Sequence, residues 1–175
     1  MFIRIKKIKG IEYAYLVKSV WENGSARQKV IQYIGRMHAL EKQQQGIFTE
    51  FCGKHEKSMK KAEFKDIIQA LMEWTLWQHG FVKDSLLHTK WVYSHGKIVG
   101  DSEKFQLTVG SKEVTLKINE GYMNSFTLKE LQSIELDKKS EEQRHAATRL
   151  AKACVAAGIL VPQNVFIEIF QKLYT

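Results

Sequence analysis

Residues 1–36, MFIRIKKIKGIEYAYLVKSVWENGSARQKVIQYIGR, read as three short strands joined by two tight turns. Glu22-Asn23-Gly24-Ser25 lies between two alternating apolar and polar runs, 13–21 and 26–34. Asn-Gly favours a type I′ turn because both central residues must take positive φ, which these two tolerate best. Lys9-Gly10 is a weaker form of the same device. With two-residue turns at both places the register follows. Lys6 faces Tyr13, Arg4 faces Tyr15, Tyr15 faces Gln32, Leu16 faces Ile31, Lys18 faces Lys29 and Val20 lies beside Arg27. Alternation then sorts the side chains into two faces. Ile3, Ile5, Ala14, Leu16, Ile31 and Tyr33 collect on the core face. Arg4, Lys6, Tyr13, Tyr15, Gln28 and Gln32 collect on the other, with Trp21 near the turn. Phe2, Val17, Val30 and Ile34 fall on that second face too, so part of it is expected to be covered.

The charge of the chain is concentrated in the same region. Residues 1–61 hold 13 lysines and arginines against 5 acids, whereas residues 62–175 hold 14 of each, so the whole net charge of +8 lies in the first third. Such segregation is an electrostatic footprint for a polyanion, usually a nucleic acid. The plainer reading is a lysine-rich surface that binds nothing, and the asymmetry favours the polyanion. At 44% hydrophobic and 26% charged over 175 residues, the chain can bury a core. It makes either one domain or a small module attached to a larger one. No apolar run approaches the ~20 residues of a membrane helix, and the lysine-dotted start lacks the apolar block of a signal peptide. Two cysteines, Cys52 and Cys154, make no disulfide framework, which fits a reducing cytoplasm.

Further along, residues 37–45 read as a short polar helix stopped by Gly46. Residues 46–61 form a connector with a Phe48/Phe51 anchor. Residues 63–79 are an amphipathic helix, with Phe64, Ile67, Ile68, Leu71 and Trp74 on one stripe and Gly80 as its stop. Trp74 and Trp77 are read as core anchors. Trp91 to Tyr93 and Ile98-Val99 flank a turn at His95-Gly96. Residues 105–109 and 114–118 form a hairpin about Gly110-Ser111, with Phe105, Leu107, Val114 and Leu116 inward and Gln106, Thr108, Glu113 and Thr115 outward. Three helices follow. Thr127 with Glu130 suggests a capping box, Ser140 opens a longer helix that Gly158 stops, and Pro162 precedes the last. The expectation is an α+β chain: a basic three-stranded β module over 1–45, a connector over 46–61 and a mixed α+β domain over 62–175.

Catalytic signals are few. There is no glycine-rich phosphate loop, G-x-S-x-G or H-E-x-x-H. Cys52 and His55 have ligand-like spacing, but a structural zinc site needs four ligands and no second close pair follows. No cofactor or metal is therefore expected. Asp101, Glu103 and Glu113 with Lys117 could hold magnesium for a small nuclease, but the Glu113-to-Lys117 spacing and their expected solvated face weigh against it.

The opening stretch resembles the start of insertion-sequence transposases of the DDE type. Those proteins commonly begin M-[FY]-[IV]-R-x-x-K-x-K-G-x-x-Y, followed by L-V-x-S and [KR]-x-R-Q-[KR]-[VI]-I-x-x-[LI]-G-R. Met1, Phe2, Ile3, Arg4, Lys7, Lys9, Gly10, Tyr13, Leu16, Val17, Ser19, Arg27, Gln28, Lys29, Val30, Ile31, Gly35 and Arg36 carry the match. The resemblance covers about a fifth of the chain and implies a DNA-contacting β module. It does not extend to the family's RNase-H-like catalytic core, for which 62–175 is too short and differently ordered.

The expected function is accordingly nucleic-acid binding, with duplex DNA favoured over RNA. Arg4, Lys6, Lys7, Lys9, Lys18, Arg27, Lys29 and Arg36 would reach phosphates, and Tyr15, Gln28 and Gln32 would approach bases. Residues 62–175 would support folding, a homodimer or a protein partner. Two alternatives stand behind it: an assembly module whose basic sheet meets an acidic protein, and the small magnesium nuclease.

Overall fold

A computed structural model of the chain describes residues 1–53, 62–93, 95, 97–134 and 140–174, with the backbone alone at 140–144, 146 and 172–174. The fold is α+β. Strands β1 (Phe2–Ile8), β2 (Ile11–Glu22) and β3 (Ser25–Ala39) form an antiparallel meander. Both of its turns have two central residues at positive φ, Lys9 and Gly10 at 49° and 82°, and Asn23 and Gly24 at 50° and 74°. That is the type I′ pattern, whose twist matches that of the flanking strands. The one-turn helix α1 (Phe48–Phe51) and the long α2 (Phe64–Gln78) come next. Strands β4 (Phe81–Lys83), β5 (Lys90–Tyr93), β6 (Ile98–Asp101), β7 (Gln106–Val109), β8 (Lys112–Ile118) and β9 (Gly121–Met123) follow in antiparallel succession. The helices α3 (Ser125–Gln132), α4 (Ser140–Ala156) and α5 (Gln163–Tyr174) close the chain.

All the described strands belong to one sheet, ordered β1-β2-β3-β8-β7-β6-β5-β4, with β9 beside β8. The joint is a parallel pairing in which Arg36, Met37, His38 and Ala39 of β3 lie against Val114, Thr115, Leu116 and Lys117 of β8. This corrects the expected polar helix over 37–45. Met37 is buried, residues 36–39 pair with β8, Leu40 donates its N–H to the Lys117 carbonyl, and Gln43 and Gln44 donate theirs to the Gln78 carbonyl at the end of α2. A partner nearly eighty residues away overrides local helix propensity.

The hydrophobic core packs one face of α2 (Ile67, Ile68, Leu71, Met72, Trp74, Leu76) against Phe81, Trp91, Ile98, Leu107, Val114 and Leu116 of the strands and Phe105 just before β7. α1 is pinned to it by its rings, with Phe48 5.4 Å from Trp74 and Phe51 5.5 Å from Trp77. The tryptophans of α2 are thus core anchors, as their spacing implied. Thr115, expected on the polar face of its hairpin, is buried because β3 lies beside it, and its hydroxyl donates to the Ile34 carbonyl at 3.0 Å. The cap of α3 is Asn124, not Thr127. Asn124 Oδ1 accepts from the N–H groups of Phe126 and Thr127 at 3.0 Å each. Thr127 sits at the third helical position and completes the box by accepting from the Asn124 N–H.

Candidate nucleic-acid interface

β1 pairs with β2 only as far as Val17, opposite Phe2. Beyond that point 18–22 and 25–29 continue as a two-stranded arm, paired from Lys18 against Lys29 to Glu22 against Ser25. Apart from half-buried Val20, every residue of the arm is exposed. Near its tip Trp21 is 75% exposed. A two-stranded ribbon of this kind has the width that the major groove of B-DNA admits. It carries Lys18, Arg27 and Lys29 against one acid, Glu22. The Lys18/Lys29 pair is directly cross-strand, a placement that costs stability through like-charge repulsion. At the opposite end of the sheet Lys9 lies in the first turn, and Lys7 stands opposite Glu12. The twelve residues of β2 span roughly 36 Å, about one helical turn of B-DNA.

Two irregularities in the β2–β3 ladder rearrange the faces. The register shifts between Leu16 and Val17 and again between Tyr13 and Tyr15, so that Tyr15 meets Tyr33, Leu16 meets Gln32 and Tyr13 meets Arg36. Each extra residue on β3 flips the side chains that follow it to the other face. The expected pairs of Tyr15 with Gln32 and Leu16 with Ile31 are therefore corrected, as are three burial assignments. Ile31 and Tyr33, expected in the core, are 46% and 53% exposed, whereas Ile34, expected on the contact face, is buried. Gln32 moves to the face of Leu16, away from the tyrosines. The second shift centres on Gly35, at φ 108°, where a Cβ would collide with the backbone carbonyl oxygen of Glu113 on β8. A glycine inside an alternating run was the one sign of a bulge legible in the sequence.

One face of the sheet now carries a defined group. The Tyr33 ring lies 5.5 Å from that of Tyr15 and 6.2 Å from that of Tyr13, between centroids. The Lys6 ammonium sits over the Tyr15 ring at 5.2 Å. Arg4 Nη1 donates to Gln28 Oε1 at 2.7 Å, tying β1 to the root of the arm. Arg36 enters the same face opposite Tyr13. Partial desolvation, with Tyr13 and Tyr15 adding, raises the pKa of the Tyr33 hydroxyl. Of the sequence-derived candidates, this face gathers Arg4, Lys6, Tyr15, Gln28 and Arg36. The arm gathers Lys18, Arg27 and Lys29. Tyr33 was missed because the bulges that expose it have no strong local signature.

Two of the three carboxylates considered for magnesium have other partners. Glu113 accepts from Ser125 Oγ at 2.7 Å and from Gln106 Nε2 at 3.0 Å, and Asp101 accepts from the Lys104 N–H at 3.0 Å. Among the described residues no three His, Cys, Asp or Glu side chains are grouped to hold a metal. His55 of the Cys52 motif lies outside the described residues. Burial first, with Glu73 adding, pushes the Cys52 thiol up to about 11, and burial pushes Cys154 to about 12. Among the described residues no helix is long and apolar enough to cross a membrane.

A cationic β-sheet with a projecting hairpin is thus the feature that sets this chain apart from an ordinary α+β domain. Residues 3–73 match the family described as IS1634 family transposase, N-terminal domain. The matched span takes in β1, β2, β3 and α1 and ends at Glu73, inside α2. The N-terminal segment of the chain thus matches a transposase N-terminal domain, as its opening residues suggested. No curated protein and no solved structure matches it.

Proposed function

We propose that the chain binds double-stranded DNA through β1, β2 and β3, with the arm entering the major groove. The observation that carries this reading is the arm itself. It is exposed on both faces, has a like-charge lysine pair that an intervening anion would relieve, and belongs to a segment of the transposase type. Lys18, Arg27 and Lys29 contact phosphates flanking the groove, Lys9 reaches the backbone about one turn away, Arg36 meets it nearer the arm, and Gln28 at the arm's root faces base edges. Residues 62–175 hold the sheet in place by completing it through β8.

Titration of a labelled duplex at two salt concentrations tests this. Binding should weaken steeply with salt. Lys18→Ala with Lys29→Ala should weaken it for all sequences and lower the slope of log K against log salt by about 1 for each phosphate left without its lysine. Binding that is independent of salt, or absent at low salt, overturns the reading.

A further inference from the structure

The tyrosine face is not explained by a duplex held on the arm. Base pairs in a duplex are stacked within it and offer no ring surface to a flat sheet. Tyr33 is nonetheless more than half exposed, and its ring is held in place by contacts with Tyr13 and Tyr15. Lys6 already covers the Tyr15 ring, which leaves Tyr33 as the open ring of this tyrosine group. Lys6, Arg36 and the Gln28-held Arg4 surround it on the same face. A ring fixed before binding loses little side-chain freedom when something stacks on it. The surrounding cations exclude a second copy of this face as the occupant, since a two-fold contact would set the same positive charges against one another. An open aromatic ring bordered by cations is suited to an unpaired base and its flanking phosphates.

We propose that Tyr33, supported by Tyr13 and Tyr15, stacks an unpaired base of a single-stranded stretch adjoining the duplex, with Lys6 and Arg36 on the neighbouring phosphates. The proposal builds on the duplex-binding reading but turns on the Tyr33 ring, which that reading does not use, so the two can fail separately. Three probes distinguish them, each titrated against the full chain: a blunt duplex of about two helical turns, the same duplex with a short single-stranded overhang bearing 2-aminopurine, and the overhang strand alone.

The overhang duplex should bind about tenfold tighter than the blunt one, with quenching of the 2-aminopurine as it stacks. Tyr33→Ala and Tyr33→Leu should bring the two within about twofold of each other, whereas Tyr33→Phe should keep the preference, because the ring and not the hydroxyl is used. Lys18→Ala with Lys29→Ala should weaken both duplexes equally. If the blunt duplex does not bind but the single strand does, and Tyr33→Ala abolishes that binding, the duplex reading falls and this one stands. Equal binding of blunt and overhang duplexes by the unaltered chain, a preference surviving in Tyr33→Leu, or no binding of any probe overturns it. Unchanged melting of Tyr33→Leu shows that a lost preference is not misfolding.

Discussion

Lys18 and Lys29 face each other across two exposed strands, a choice that a sequence selected only for stability would avoid. Lys29→Thr, which keeps a good strand former, should raise the melting temperature by about 1–3 °C while weakening binding to duplex DNA. A parallel thermal melt and titration check both halves; a variant that loses stability and keeps affinity contradicts the assignment. Gly35 is constrained in the opposite sense. Its φ of 108° and its closeness to the Glu113 carbonyl leave no room for a side chain. Gly35→Ala should cost about 3 kcal/mol or more, read as a lower denaturant midpoint at unchanged slope. His79, at the end of α2, is buried and donates from Nδ1 to the Thr75 carbonyl at 2.8 Å. Burial lowers its pKa and Lys42 adds to this, against the opposing Thr75 bond; His38 is lowered as well, by burial and Arg36. The unfolded chain binds these protons near pH 6.5, whereas the folded one binds them only at lower pH. Stability should therefore be greatest above about pH 6.5 and fall as the pH drops through it. His79→Asn, which retains a donor for Thr75, should flatten that part of a melting-versus-pH curve.

At the scale of elements, the turns and the outer register were legible because each rests on adjacent residues. Asn23-Gly24 fixes the pairing of Lys18 with Lys29, and Lys9-Gly10 fixes Lys6 with Tyr13. The amphipathic stripe of α2 and its glycine stop were equally local. What could not be read is where β3 departs from strict alternation: Gly35 hints at the bulge beside β8, whereas the one at Ile31 has no local signature. Those two bulges moved Ile31, Gln32, Tyr33 and Ile34 to the wrong faces and hid Tyr33, the third ring beside Tyr13 and Tyr15. The end of β3 was misjudged for the same reason, because residues 37–39 have no local need to be a strand. The short strands β4 and β9 escaped notice because three residues carry too little periodicity to register.

At the scale of the whole molecule, the sheet does not stop where the transposase-type segment does. Residues 3–73 include β3 but not β8, and most of α2 but none of the strands against which it packs. A fragment of residues 1–73 should accordingly fail to fold cooperatively, with poorly dispersed amide resonances and a strong tendency to associate through 36–39. A well-dispersed, monomeric fragment would show that the segment is independent of the rest. The same parallel pairing bears on synthesis. Arg36 precedes its partner Val114 by nearly eighty residues, and at 5–20 residues per second that is roughly 4–16 s of translation. During this interval the last strand of the meander has an open edge while the chain is still being made. Premature termination anywhere before β8 leaves that edge uncapped, so truncated translation products of this protein should be among the first to aggregate.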